Sequence, residues 1–167
     1  MDFYDLAYAD AIKGASSQLL GFKKLLAVDV DIKAARDPAK SSGCIYIGPG
    51  EGIERASKAG ALAVAPEDYR LEPKAAAQMR DRGTILGIST YPIMSANGIK
   101  RSKRIHFAER MFALGEKKGI DVAFITIARS ELYLCSAMQL IGLAGLIGAD
   151  EEQARESVAM VNKRLSE

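Results

Sequence analysis

Short apolar runs alternate with helix-like patterns along most of the chain. The runs are rich in β-branched and aromatic residues, and most have apolar residues at successive positions, which is typical of strands buried on both faces. Six runs are clear, at residues 3–8, 25–30, 44–47, 61–64, 84–89 and 121–127. Buried strands joined by helices form parallel sheets. The pattern therefore predicts an α/β protein built from repeating strand–helix units.

Local signals set the ends of several predicted helices. Pro73 is favoured in a first helical turn, and Gly119 is expected just past the end of a long helix over residues 98–118. Asp150 and Gln153 have the spacing of a capping box, which predicts a last helix from residue 151. Further helices are predicted at residues 12–20, 51–59, 73–83 and 132–148.

The length of the chain limits the possible architectures. A complete eight-stranded β/α barrel typically needs about 250 residues, with a lower limit near 200, and this chain has 167. No linker or low-complexity tract divides it, so a single domain over residues 1–167 is predicted. An open doubly wound sheet and a TIM-like barrel, reduced or incomplete with six to seven parallel strands, both fit the pattern.

Composition and charge are those of an ordinary globular protein. Hydrophobic residues make up 49% and charged residues 26%, and the formal net charge is +2. This charge excludes a strongly basic nucleic-acid coat but allows a local basic face. Both cysteines, Cys44 and Cys135, lie in apolar runs and are predicted to be free thiols in a reducing compartment. With no secretion signal at the start, the expected location is the cytoplasm.

The uncharged segment 132–149 is about as long as the roughly 18 residues of a membrane span. It contains Ser136, Gln139 and three glycines, and no basic residue anchors its ends. These features favour a buried core helix, and no contact with a membrane is expected.

The long predicted helix carries the most informative charge pattern. It opens with Lys100, Arg101, Lys103 and Arg104. Lys103, Arg110 and Lys117 recur every seven residues and so share one helix face, whereas the opposite side is apolar, with Ile105, Ala108, Met111, Phe112 and Gly115. A cationic ridge of this kind can follow a phosphate backbone. A solvated outer helix face is the alternative interpretation.

Candidate catalytic groups are sparse. The chain has one histidine, His106, and a carboxylate pair, Asp29 and Asp31, at a predicted strand end. These three residues define the alternative hypothesis of a degenerate metal-dependent barrel phosphoesterase. A second alternative is a small-molecule binding protein in which the amides of the turn Gly48-Pro49-Gly50-Glu51-Gly52 cradle a phosphate. This turn matches neither the dinucleotide fingerprint nor the P-loop, and a tight connection is favoured. No catalytic residue, metal site or cofactor is predicted for the chain itself.

From residue 85 onward, the order of motifs resembles the TIM-barrel protein subunit of archaeal ribonuclease P. An apolar strand at 85–88 precedes a proline-containing turn at 91–93 and the basic helix start at 100–104. A strand ending in Ala128-Arg129-Ser130 and a Leu/Gly-rich helix closed by Asp150 follow. Earlier, Gly48-Pro49-Gly50 and Glu54-Arg55-Ala56 are similar to the family's glycine turn and helix start. Pro49 and Glu54 depart from the family pattern, and residues 21–42 are short by about one strand–helix unit.

The resemblance implies an incomplete β/α barrel in a ribonucleoprotein that removes the 5′ leader of pre-tRNA. Its implied partners are the catalytic RNA, pre-tRNA and a second small protein subunit, and the RNA supplies catalysis with magnesium. The predicted RNA-binding residues are Lys100, Arg101, Lys103, Arg104, Arg110, Lys117, Arg129 and Ser130. Arg129 and Ser130 enter this set through the resemblance, and the others through the basic helix.

Overall fold

The computed structural model describes residues 3–164, with side chains up to residue 160. Residues 1–2 and 165–167 of the predicted domain 1–167 lie outside the described part. Seven strands occur in the described residues: β1 Tyr4–Tyr8, β2 Lys24–Val28, β3 Ala34–Ala35, β4 Ile45–Gly48, β5 Ala63–Pro66, β6 Ile85–Ser89 and β7 Val122–Ile125. All six strands predicted from apolar runs are present, and the two-residue β3 has no counterpart in the sequence prediction.

The helices lie between and after these strands. They are α1 Ala9–Ile12, α2 Ile53–Lys58, α3 Pro73–Arg82, α4 Tyr91–Met94, α5 Gly98–Lys118, α6 Ala137–Leu146 and α7 Glu151–Arg164. Short 3-10 turns lie at Pro38–Lys40, Gly50–Gly52 and Glu131–Tyr133. The long basic helix α5 has the predicted bounds, and it ends where Gly119 adopts a left-handed conformation (φ 66°).

All pairings between the described strands are parallel. β1 pairs with β2, and β3 to β7 form a five-stranded sheet in sequence order. Isolated parallel bridges connect the two sheets, Ala7 with Ala128 on one side and Val28 with Ile32 on the other. The result is a barrel-like arrangement of parallel strands, in which the described residues form no continuous ladder around the ring.

Successive residues of a strand contact different apolar clusters, as the pleat requires. Ile45 and Ile47 of β4 belong to an inner cluster made mainly of strand residues. Tyr46, between them, belongs to an outer cluster that also contains Met111 of α5 and Leu140 of α6. Both strand faces are therefore buried, which is why the strands appear as apolar runs in the sequence.

Two helix predictions were wrong in extent. Residues 13–14 and 17–21 form turns, and the backbone N–H of Phe22 donates to Ser17 O at 2.8 Å instead of continuing a helix. The predicted helix 132–148 begins only at Ala137, because Ser136 and Gln139 form a capping box at that point. Among residues 3–164, no helix combines the length and apolar character needed to cross a membrane.

The connection between β2 and β4 is as short as the sequence indicated. It contains β3 and the 3-10 turn Pro38–Lys40, and the described residues 29–44 form no α-helix. This shortened unit coincides with the point where Val28 and Ile32 provide only an isolated bridge between the sheets.

Candidate nucleic-acid interface

Helix α5 begins near the carboxyl ends of the strands. It follows β6 through the short helix α4 and leads back to the start of β7, so its first turns lie at that end of the sheet. Ala108, Met111, Phe112 and Gly115 are buried against the sheet, as predicted, and Ile105 packs at the edge of the same cluster. The remaining faces of α5 are free to carry charge.

Four of the predicted basic residues project from α5 into solvent. Lys100, Lys103, Arg110 and Lys117 are exposed, and within the described part of the chain none of them makes an ion pair. Exposed cations without carboxylate partners can bind an external anion without first breaking an ion pair. These four side chains are thus the part of the predicted set best suited to contact phosphates.

The other two basic residues at the start of α5 have structural partners. Arg101 donates from Nε to Ala96 O at 2.7 Å and from Nη2 to Met94 O at 3.3 Å. Arg104 donates to Pro92 O. Both guanidinium groups bond to carbonyl groups of α4 and the turn after it, and so fix the start of α5 on the sheet. Their first role in the fold is to position the helix.

The predicted ridge spans both ends of the strands. Lys103 and Lys117 are fourteen residues apart, which corresponds to about 21 Å along an α-helix. Lys100 and Lys103 therefore lie at the carboxyl ends of the strands, whereas Lys117 lies toward their amino ends. The eight predicted residues do not form one compact surface.

Arg129 lies at the carboxyl end of β7, in a cluster that includes a second arginine. Its Nη2 donates to Glu67 Oε1 at 2.8 Å, and Arg36 Nη1 contacts the same oxygen at 3.0 Å. Arg36 also donates to Ile47 O and to the hydroxyl of Tyr8, each at 3.1 Å. We refer to Arg36, Glu67 and Arg129 as the arginine cluster.

Tyrosine rings border this cluster. The guanidinium carbon of Arg129 is 5.9 Å from the centre of the Tyr8 ring and 5.6 Å from that of Tyr91, distances typical of cation–π contacts. The ring of Tyr133 meets Tyr91 edge-on at 5.3 Å. Ser130 is half-buried, and its carbonyl accepts from Tyr133 N at 3.1 Å, so its described contact is with a local turn.

Sequence reasoning identified Arg129 but missed Arg36, Glu67, Tyr8 and Tyr91. A signal was present, because each of these residues ends a strand or follows one within a few positions. Parallel strands bring such residues to one edge of the sheet whatever their separation in sequence. The sequence pattern around Arg36 indicated only a shortened unit and pointed to no functional residue there.

The residues of the alternative metal site do not assemble. Asp31 accepts from Ala27 N at 2.7 Å and Asp29 from Ala34 N at 3.0 Å, so both carboxylates satisfy nearby backbone groups. His106 lies on α5 beside Glu109. In the described residues, no group of three His, Cys, Asp or Glu side chains is placed to hold a metal ion. The proposed set of Asp29, Asp31 and His106 was wrong.

The glycine turn after β4 has a packing role. The buried ring of Tyr46 lies against Gly48 and Gly52, and its hydroxyl donates to Pro49 O at 3.0 Å. Burial raises the pKa of this phenol, which keeps it a neutral donor. The N–H of Gly50 already donates to Asp68 Oδ1 at 3.0 Å. These contacts support the tight connection favoured from the sequence over a phosphate cradle.

Comparison with known proteins adds information on the fold. No family model matches the sequence, and no curated protein matches it significantly. Among solved structures, a chain in the cryo-EM structure of archaeal ribonuclease P with mature tRNA is similar, with a TM-score of 0.66 and 13% identity. The likeness covers 97% of this chain and 79% of that chain.

Two crystal structures show a more partial likeness. One is of an uncharacterized protein (TM-score 0.57, 13% identity, 74% of this chain), and the other is of a prolidase complexed with N-methylphosphonate-L-proline (TM-score 0.54, 12% identity, 72% of this chain). This chain spans 33% of the length of each. At these identities the comparisons define the class of protein, an α/β protein with a barrel-like set of parallel strands. The similarity to the chain in the archaeal ribonuclease P structure extends over nearly the whole of this chain.

Proposed function

We propose that this protein is a subunit of a ribonuclease P, in which it binds the catalytic RNA together with a second small protein subunit. The observation that carries the proposal is the fold likeness to a chain of archaeal ribonuclease P, which extends over 97% of this chain. The motif order from residue 85 to Asp150 supports the same family independently of the fold comparison.

The distribution of charge supports contact with RNA at one end of the molecule. The net charge of +2 gives no general attraction to nucleic acid. Lys100 and Lys103, however, are exposed and unpaired within the described residues, and they lie at the same end of the strands as Arg129. RNA affinity in this proposal comes mainly from this end, with Arg110 and Lys117 extending the contact along α5.

The proposed role of the chain is to neutralise phosphates and stabilise a folded RNA. In the proposed particle, the RNA with bound magnesium cleaves pre-tRNA, and the protein contributes no reacting group. Cations placed by a protein replace part of the counterion atmosphere of the RNA. The magnesium concentration needed for cleavage should therefore fall when the protein is present.

The test is reconstitution with ribonuclease P RNA, a partner protein subunit and pre-tRNA. Cleavage is measured over a magnesium titration, with and without this chain. We expect the midpoint to move to lower magnesium when the chain is added. An unchanged midpoint under conditions where the partner is active would refute the proposed function.

A pair of variants makes this test specific. Lys100→Gln/Lys103→Gln removes two exposed charges from the proposed RNA-facing end, and we expect it to lose part of the magnesium effect. The control variant Lys58→Gln/Arg155→Gln also removes two exposed charges, but from helices α2 and α7. There Lys58 pairs with Glu54 and Arg155 pairs with Glu151. This control should behave as the wild type, and equal loss in both variants would indicate a nonspecific charge effect.

A further inference from the structure

We propose that the arginine cluster is a binding site for a phosphate group, carried by a free nucleotide or by an RNA chain. The cluster lies beside a surface cavity of about 340 Å³ lined by Tyr8, Asp10, Arg36 and Arg129. As a site for RNA it deepens the proposed function and rests on it, whereas a free-nucleotide site at this position does not depend on membership in a ribonuclease P.

Arg36 is held in place before any ligand binds. Its guanidinium bonds to three different parts of the fold: the carbonyl of Ile47 in β4, the hydroxyl of Tyr8 in β1 and the carboxylate of Glu67 after β5. A side chain fixed in this way loses little conformational entropy on binding. Because the Tyr8 oxygen accepts from Arg36, its O–H hydrogen remains available to a ligand.

Arg129 approaches the same carboxylate oxygen from β7. The two guanidinium nitrogens that contact Glu67 Oε1 are less than about 6 Å apart, a separation that one phosphate accepting charge-assisted hydrogen bonds can span. Among the described residues, only Glu67 accepts a hydrogen bond from Arg129. Its other N–H groups are therefore unoccupied by the described protein groups.

The charge of the cluster favours an anion. Two guanidinium groups and one carboxylate leave a net charge of +1. Asp10, on the cavity wall, forms an ion pair with Lys13 at 2.7 Å, which offsets part of its charge. Paired arginines suit phosphate, since their planar forks match its oxygens in bidentate geometry.

The contribution of these ion pairs to folding stability is too small to explain why the three side chains meet. The side chains of Arg36, Arg129 and Glu67 are 49%, 48% and 40% exposed. Ion pairs this exposed contribute about 0–1 kcal/mol. In contrast, the carboxyl ends of parallel strands are where α/β and barrel proteins usually bind ligands. The position of the cluster thus points to binding more than to folding.

The experiment follows the side-chain Nε–H signal of Arg129 in the ¹⁵N-labelled full chain. The probes are inorganic phosphate, uridine 5′-monophosphate, uridine without phosphate, acetate and a uridine decanucleotide. We expect shifts with phosphate-bearing probes and none with uridine or acetate. Shifts with the monophosphate identify a free-nucleotide site, and shifts with the decanucleotide alone identify a backbone phosphate of RNA. No shift with any phosphate, or equal shifts with acetate, would overturn the proposal.

Three variants and a control complete the test. Arg36→Gln, followed through the Nε–H of Arg129, and Arg129→Gln, followed through the Nε–H of Arg36, should each weaken phosphate binding by about tenfold or more, as expected for a charge-assisted hydrogen bond. Glu67→Gln should retain or strengthen binding, because it raises the net charge of the cluster. Arg155→Gln, on α7, should bind as the wild type.

The pattern across these variants decides the proposal. Unchanged binding in both arginine variants would overturn it, as would a loss in Glu67→Gln equal to that in Arg129→Gln. If phosphate binds at this cluster but adding the chain leaves the magnesium midpoint of ribonuclease P cleavage unchanged, only the proposed function is refuted. The two failures can therefore be distinguished.

Discussion

The backbone N–H of Thr126 donates a hydrogen bond of 2.8 Å to the carboxylate of Asp5, which lies 121 residues earlier in the chain. This bond joins β1 to the segment after β7, where Ile127 N also donates to Leu6 O at 2.7 Å. Asp5 is completely buried, and its second carboxylate oxygen has no hydrogen-bond partner in the described part of the chain. One contact between the two sheets therefore depends on a buried acid.

Burial makes this acid sensitive to pH. Desolvation raises the pKa of Asp5 to about 7, against the opposing effect of hydrogen bonds from backbone N–H groups. Between about pH 4 and 7, the folded state keeps a proton that the unfolded state has released. The stability contributed by protonated Asp5 is thus lost as pH rises through this window, by up to about 4 kcal/mol.

Replacement of Asp5 by Asn should remove this dependence. The amide is neutral at every pH and keeps an oxygen that can accept from Thr126. We expect wild-type melting temperature to fall from pH 5 to pH 8, and Asp5→Asn to show a flatter profile and greater stability at pH 8. Thermal melts across this range provide the measurement. Parallel profiles for the two proteins would contradict the assignment.

The contact between Gly52 and Tyr46 predicts a steric cost. A Cβ at Gly52 would overlap the buried phenol of Tyr46. Gly52→Ala should therefore destabilise the protein by about 1–3 kcal/mol, the usual range for overpacking. Urea unfolding followed by circular dichroism would measure this loss in the free energy of unfolding.

Gly142 on α6 provides the matched control for this substitution. A Cβ there would meet no other part of the described chain within 4 Å. Because alanine favours the helix over glycine, Gly142→Ala should stabilise the protein by about 0.5–1 kcal/mol. Equal effects at both positions would show that packing against Tyr46 is not the cause.

The basic residues of α5 should separate into two groups by their effect on stability. Arg101→Gln and Arg104→Gln leave carbonyl groups of α4 and its following turn without their donors. We expect each to cost about 1–2 kcal/mol. Lys103→Gln and Lys117→Gln alter exposed side chains and should stay within about 0.5 kcal/mol of wild type. The measurement is chemical denaturation, and similar costs for all four would be inconsistent with the described contacts.

RNA binding should depend unequally on the two ends of α5. Removing one cation that neutralises a phosphate reduces the steepness of log K against log salt by about 0.7–0.9. Lys100→Gln/Lys103→Gln should reduce the slope more than Arg110→Gln/Lys117→Gln, because the first pair lies at the same end as Arg129. Titrations of the full chain with ribonuclease P RNA at two salt concentrations compare them. A larger effect of the second pair would place the interface at the other end of the strands.

The cap of α7 offers a test of a purely local interaction. Asp150 Oδ1 accepts from Gln153 N at 2.9 Å, and Gln153 Oε1 accepts from Asp150 N at 3.0 Å. Asp150→Ala should cost about 1 kcal/mol. Asp150→Asn keeps a capping oxygen and should lose only a fraction of this, as measured by urea unfolding.

Several features followed from the sequence because their causes are local. The end of α5 was predicted from Gly119, since a left-handed residue at that position ends a helix wherever the helix lies. The capping box of Asp150 and Gln153 was likewise found, because its bonds span three residues. The apolar runs identified six strands, because a strand buried on both faces needs apolar residues at nearly every position.

The tertiary structure alone decided which distant residues meet. Arg36, Glu67 and Arg129 follow one another at intervals of 31 and 62 residues and come together only because parallel strands end at one edge. The same applies to Asp5 and Thr126. The tertiary structure also decided that Arg101 and Arg104 bond to backbone carbonyls while Lys100 and Lys103 face solvent. Sequence spacing gives the face of a helix, but the partners on that face depend on how the chain folds around it.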